Sequence, residues 1–138
     1  MEMMKIKINT VYPKSDTLQK RRKSMNNKDF HGFLEGRKQS VASDIEALSA
    51  EGRTDEANIL KAKFNVYDIA KSVFDTTVRQ SPDTVATAFP ALFSRITGSW
   101  SAALKTAKEH GDDRRVLVEE AKLSAVAEIT NRFAALLT

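Results

Sequence analysis

The apolar side chains of residues 55–79 constrain the fold most, because one neighbouring helix cannot bury them all. At about 100° per residue they spread over more than half of a helix circumference. They are Ile59, Leu60, Phe64, Val66, Tyr67, Ile69, Ala70, Val73, Phe74 and Val78. Polar residues such as Asp68 and Asp75 fall on the narrow opposite face. We therefore predict a central helix that contacts two or three others.

Two glycines predict tight turns between helices. Gly52, in the stretch AEGRTDEA, can take the left-handed conformation that ends a helix, and Thr54 then caps the next one. Gly111 precedes two aspartates and predicts a second turn of the same kind, with Asp112 or Asp113 opening the last helix. Because short connections join antiparallel neighbours, the helices are expected to form two hairpins.

The outer helices each carry one apolar stripe. In the first helix, which Asn27 is expected to cap, the stripe consists of Phe30, Phe33, Leu34, Val41, Ile45 and Leu48. In the last helix it consists of Val118, Ala125, Val126, Ile129, Phe133, Leu136 and Leu137. Stripes of this width are typical of helices that pack on a core with their other face in water.

The segment between the two hairpin turns keeps helical phase but contains a proline. Its apolar positions are Val85, Phe89, Leu92, Ile96, Trp100, Ala103 and Ala107. Pro90 removes one backbone hydrogen bond, which predicts a kink or break near residues 88–89 and a longer helix from about 90 to 110. The predicted fold is all-α: four long helices in two antiparallel hairpins, bundle-like, with the third helix kinked or broken near Pro90.

Residues 1–26 are expected to precede this helical domain, which covers residues 27–138. Residues 5–12, KIKINTVY, alternate lysine with isoleucine and predict a short strand, with a flexible linker after it. No second strand is indicated, so this strand must pair with another chain, lie against helices or fray. The candidate partner-binding residues are Ile6, Ile8, Val11 and Tyr12.

The basic charge is concentrated in the first part of the chain. Residues 1–40 carry ten basic and four acidic side chains, whereas the remainder carries twelve and fourteen. The candidate phosphate contacts are Lys20, Arg21, Arg22, Lys23 and Lys28. No aromatic residue is interleaved with them, so the run predicts at most non-specific nucleic-acid binding. A solvated linker is the favoured explanation of the same run, because runs of charge are usually solvated.

The sequence offers no catalytic, cofactor or metal site. His31 and His110 are the two histidines, and neither follows a glutamate at the spacing of a di-iron bundle. His110 with Asp112 and Asp113 suggests a loose metal site, but helix capping explains these residues better. Trp100 with Phe89 and Phe93 could line a pocket, although their phase favours the core.

These observations favour a non-enzymatic protein. The absence of cysteine suits a reducing cytoplasm, and there is neither a secretory apolar core nor an apolar run long enough to cross a membrane. We expect a small cytoplasmic adaptor or accessory protein that binds another protein or a second copy of itself. The alternative is an accessory protein that binds nucleic acid through the basic arm.

Overall fold

The computed structural model describes residues 24–137, which form a bundle of α-helices. The helices are α1 (Asn27–Ala50), α2 (Thr54–Gln80), α3 (Val85–Thr97), α4 (Trp100–Glu109) and α5 (Asp113–Ala135), with a 3-10 turn at Pro82–Thr84. Because α3 and α4 are two pieces of the predicted third helix, the all-α arrangement of four long helices is confirmed. The predicted strand at residues 5–12 and the basic run at residues 20–23 lie outside the described residues.

Both predicted glycine turns are confirmed. Gly52 and Gly111 have φ values of 76° and 65°, which disfavour any residue with a Cβ atom. At the first turn the Arg53 amide donates to the Leu48 carbonyl at 2.9 Å. At the second, the Asp112 side chain accepts from the Arg115 amide at 3.1 Å and so caps α5.

Two predicted N-caps are wrong by one residue. The side chain of Asn26 accepts from the Asp29 amide at 3.1 Å, so Asn27 is the first helical residue of α1. Arg53 occupies the N-cap position of α2 without a side-chain bond, and Thr54 lies inside the helix. In each case the chain turns into the helix one residue earlier than the composition of the turn suggests.

The third segment is divided, but α3 continues through Pro90 and ends at Thr97. Residues 98–99 separate α3 from α4. A Cβ atom on Gly98 would lie 2.9 Å from the Ser94 carbonyl oxygen, so this position requires glycine. The buried positions of α3 are four residues apart, and Ile96, predicted to be buried, is 41% exposed.

Five phenylalanines hold the bundle together, and we call them the phenylalanine cluster: Phe30, Phe74, Phe89, Phe93 and Phe133. The Phe30 ring meets Phe74 edge-on at a centroid distance of 4.8 Å and Phe133 at 5.0 Å. Since these side chains come from α1, α2, α3 and α5, one set of aromatic contacts fixes four helices at once.

The second helix is the central one, as predicted, because α2 packs against α1, α3 and α5. A polar contact also joins α2 to α5 and α1. The Tyr67 hydroxyl donates to Glu128 of α5, and Arg37 of α1 donates to the same carboxylate at 3.2 Å. Burial, followed by the bond to Glu128, raises the pKa of Tyr67 to about 12. None of the helices within residues 24–137 is long and apolar enough to span a bilayer.

Candidate functional site: two concave surfaces along α5

The first concave surface is an apolar groove of about 340 Å³ between α3 and α5, which we call the groove. Its lining consists of Phe89, Pro90, Phe93, Ser94 and Thr97 from α3, and Val126, Thr130, Phe133, Ala134 and Leu137 from α5 and the residues after it. Three hydroxyl side chains are the only polar ones in this set. The groove therefore suits apolar side chains with a few hydrogen-bonding groups at its edges.

The groove exists because α3 and α5 meet through side chains rather than through close backbones. Phe89 and Phe133 approach to a centroid distance of 4.8 Å and form its floor. The α5 wall above them carries small side chains at Thr130 and Ala134, which leave the seam open.

The described chain begins at one end of this groove. Met25 forms an isolated antiparallel bridge with Leu137, which itself lines the groove. Met25, near the start of the described residues, therefore lies beside one end of the groove. The sequence pattern did not reveal this proximity, because Met25 and Leu137 are separated by the whole helical domain.

The second concave surface is a cleft of about 620 Å³ between α2, α4 and α5, which we call the cleft. Its apolar wall contains Val66, Ile69, Val118 and the ring of Trp100, and its charged side chains are Asp112, Arg114, Arg115, Glu119 and Lys122. The Lys122 ammonium lies 4.4 Å from the centroid of the Trp100 ring. Trp100 is thus a wall of the cleft, partly exposed, rather than a fully buried core residue.

A buried carboxylate forms the base of this charged set. Glu119 is 1% exposed. Its Oε2 accepts from Arg115 Nε at 2.8 Å, and its Oε1 lies 3.2 Å from Lys122 Nζ. Oε1 makes no hydrogen bond of acceptable angle, so its contact with Lys122 is an ion pair without a well-aligned hydrogen bond. Both partners belong to α5 itself.

The residues predicted as sites separate into two groups. Ile6, Ile8, Val11, Tyr12 and Lys20, Arg21, Arg22, Lys23 lie outside the described residues. Lys28 is described and is exposed on the first turn of α1. It lines a shallow depression of about 440 Å³ together with His31 and Arg79. Phe89 and Phe93 are core residues, as their phase predicted.

The residues around His110 form no metal centre. Within residues 24–137, no three side chains of the metal-binding types converge on one point. Asp112 serves as the N-cap of α5, which is the role that capping logic favoured. His110 occupies the C-cap position of α4.

Sequence reasoning missed Glu119, although a signal was present. Glu119 lies seven residues before Val126, which in turn lies seven before Phe133, so all three share one face of α5. A carboxylate in phase with an apolar stripe indicates a buried charge. The stripe was instead extended to Val118, which is only partly buried.

No known protein family, curated protein or solved structure matches this chain. Its function is therefore inferred from the groove, the cleft and the charges around them.

Proposed function

We propose that the chain is a non-enzymatic helical adaptor that self-associates, with residues 5–12 of one copy lying in the groove of another. The observation that carries this proposal is the position of the groove. It is apolar, it is open, and Leu137 at its end is bridged to Met25, which follows residues 1–23 in the sequence.

The chemistry of residues 5–12 matches the groove. In a strand, Ile6 and Ile8 share one face and Lys5 and Lys7 share the other, so an apolar face can bind while the lysines stay in water. Eight residues at about 3.3 Å each span about 26 Å. On α3 the groove is lined from Phe89 to Thr97, about 12 Å at about 1.5 Å per residue, so it can hold about four residues of the segment, enough for Ile6 and Ile8.

The proposal places the segment in the groove of a second copy. Exchange of an identical element between two copies is a low-cost route to a dimer, because each copy supplies both the segment and the groove.

Molar mass measured by light scattering over a range of concentrations tests this proposal. We expect the full chain to dimerise, and the Ile6→Asp/Ile8→Asp variant to remain a monomer because a buried carboxylate is costly. Thr130→Arg, which obstructs the groove from an exposed helical position, is expected to have the same effect. Asn131→Arg is the matched control, since its neighbouring position is exposed and does not line the groove.

Two results would reject the proposal. One is a full chain that stays monomeric at every concentration. The other is a dimer that persists in both Ile6→Asp/Ile8→Asp and Thr130→Arg. Circular dichroism of each variant checks that the helices are retained.

A second candidate function is non-specific nucleic-acid binding by the basic arm. The supporting observation is that Lys28, His31 and Arg79 border one depression near the start of α1, close in sequence to the run at residues 20–23.

Fluorescence anisotropy with a single-stranded oligonucleotide at low salt tests this candidate function. Replacing Lys20, Arg21, Arg22 and Lys23 by glutamate is expected to abolish binding, and Arg79→Gln to weaken it. Arg95→Gln, exposed on α3, is the control; binding that survives the fourfold replacement excludes this candidate.

A further inference from the structure

The cleft contains a buried charge that does not connect one helix to another. Glu119 is paired with Arg115 and Lys122, which lie four residues before it and three after it on α5. A pair that links two helices helps to fix their packing, whereas these pairs do not. The burial of Glu119 therefore needs another explanation than the stability of the bundle.

The free-energy cost of burying the Glu119 carboxylate strengthens this argument. Taking a carboxylate out of water costs several kcal/mol, and an apolar residue of similar size is often as stable or more stable at such a position. Glu119 lies in phase with Val126 and Phe133, where a leucine or methionine would extend the apolar stripe. Its retained charge positions the two cations on either side of it.

Those cations keep hydrogen-bond donors for a ligand. Among the described residues, the Arg115 side chain bonds only to Glu119, through Nε, so its two terminal nitrogens keep their donors. The other carboxylate of the cleft, Asp112, already accepts from the Arg115 amide as the N-cap. Lys122 is held above the Trp100 ring, which fixes its ammonium at the border between the charged and the apolar parts of the cleft.

The charge of the cleft suits a single negative charge. Arg114 lines it but is paired with Asp55 at 3.3 Å, and Asp112 is engaged as the N-cap of α5. The remaining charges are Arg115, Lys122 and Glu119, which leave a net charge of +1. The remaining wall, formed by Val66, Ile69, Val118 and Trp100, is apolar. One anionic head and an apolar body therefore complement the two parts of the cleft.

We propose that the cleft is a binding site for a small organic carboxylate with an apolar chain. The carboxylate is held between Arg115 and Lys122, and the chain lies against Val66, Ile69 and Val118. Glu119 is a positioning residue that keeps both cations in place before the ligand arrives, which lowers the entropy lost on binding. This proposal is independent of the one for the groove.

The single tryptophan of the chain, Trp100, reports directly on this site. Full-length protein is titrated with octanoate below its micelle concentration, by tryptophan fluorescence and by calorimetry. Octan-1-ol has the same chain without the charge and serves as the matched ligand. We expect a saturable fluorescence change with octanoate and at least about tenfold weaker binding of octanol, because charge-assisted bonds are lost.

Substitutions of the two cations test where the carboxylate of the ligand binds. Arg115→Gln and Lys122→Gln are each expected to weaken octanoate binding by about tenfold. Lys105→Gln makes the same charge change at an exposed position of α4 outside the cleft and is expected to have no effect. Equal affinity for octanol, unchanged affinity in both cleft variants, or no fluorescence change and no heat with octanoate would each overturn the proposal.

Glu119→Gln tests positioning separately from charge. The substitution makes the cleft more positive, so a carboxylate that only repelled the ligand would give tighter octanoate binding when removed. We expect the opposite, a several-fold weaker binding, because Arg115 and Lys122 lose the group that orients them. Tighter binding in this variant would reject the positioning role.

Discussion

The two halves of α5 pack in opposite ways. In the C-terminal half, Phe133 contacts Phe30 of α1 and Phe89 of α3, at centroid distances of 5.0 and 4.8 Å. In the N-terminal half, Glu119 is equally buried but pairs only with residues of α5. The first half joins helices, and the second half arranges charges beside a cleft. With the ligand site proposed for the cleft, stability and ligand recognition would be separated along one helix.

The largest effect is expected in the phenylalanine cluster. Phe74→Ala and Phe133→Ala each remove a ring that contacts other helices and leave a cavity, which costs about 3–5 kcal/mol. Denaturant unfolding measures this loss. A loss below about 1 kcal/mol in either variant would place the core elsewhere and would remove the contrast between the two halves of α5.

The middle of α5 is expected to show an intermediate effect. Tyr67→Phe removes the hydroxyl that donates to Glu128 and leaves the ring in place. Because Glu128 still pairs with Arg37 and is partly exposed, the expected loss is that of one hydrogen bond, about 1 kcal/mol. The same unfolding measurement applies. A loss as large as that of Phe133→Ala would show that the polar link, rather than the rings, joins α2 to α5.

The pH dependence of Tyr67 tests the same link. Burial raises its pKa to about 12, so the folded state holds this proton more tightly than the unfolded state does. The stability it contributes is complete below about pH 10 and is lost as the pH rises towards 12. The Tyr12→Phe variant leaves Tyr67 as the single tyrosine, so absorbance at alkaline pH reports its titration alone. A midpoint near the ordinary value of about 10 would contradict its burial.

The smallest stability effect is expected at Glu119. Glu119→Met replaces the carboxylate by an apolar side chain of similar size, and its two partners can reach water. The free energy of unfolding is expected to stay within about 1 kcal/mol of the original or to rise. Thermal and denaturant unfolding both test this. A loss of more than about 2 kcal/mol would mean that Glu119 stabilises the bundle, as the rings do.

The features that the sequence predicted correctly depend on local rules. The turns at Gly52 and Gly111 follow from the left-handed conformation that glycine accepts, and the central position of α2 follows from the width of its apolar face. The position at which the third segment divides was harder to predict from the sequence. Pro90 is the helix breaker within this segment, yet α3 continues to Thr97 and the division falls at residues 98–99, where glycine leaves room for the Ser94 carbonyl oxygen.

The two concave surfaces were not predictable from periodicity. The groove depends on how far α3 and α5 stand apart, and the Met25–Leu137 bridge joins residues more than a hundred positions apart. Glu119 was visible in principle, as a charge in phase with Val126 and Phe133. Its role depends on Trp100 and Lys122 meeting across two helices, which tertiary packing alone produces.

The most direct test of self-association uses the absence of cysteine from the chain. An Ile8→Cys variant is mixed with a Thr130→Cys variant and oxidised, and linked peptides are identified by mass spectrometry. Because a disulfide requires Cα atoms within about 7 Å, a link between positions 8 and 130 reports the segment of one copy in the groove of another. We predict that this link forms and that the same experiment with Asn131→Cys gives far less. No link at position 130, or equal links at positions 130 and 131, would contradict the proposed adaptor.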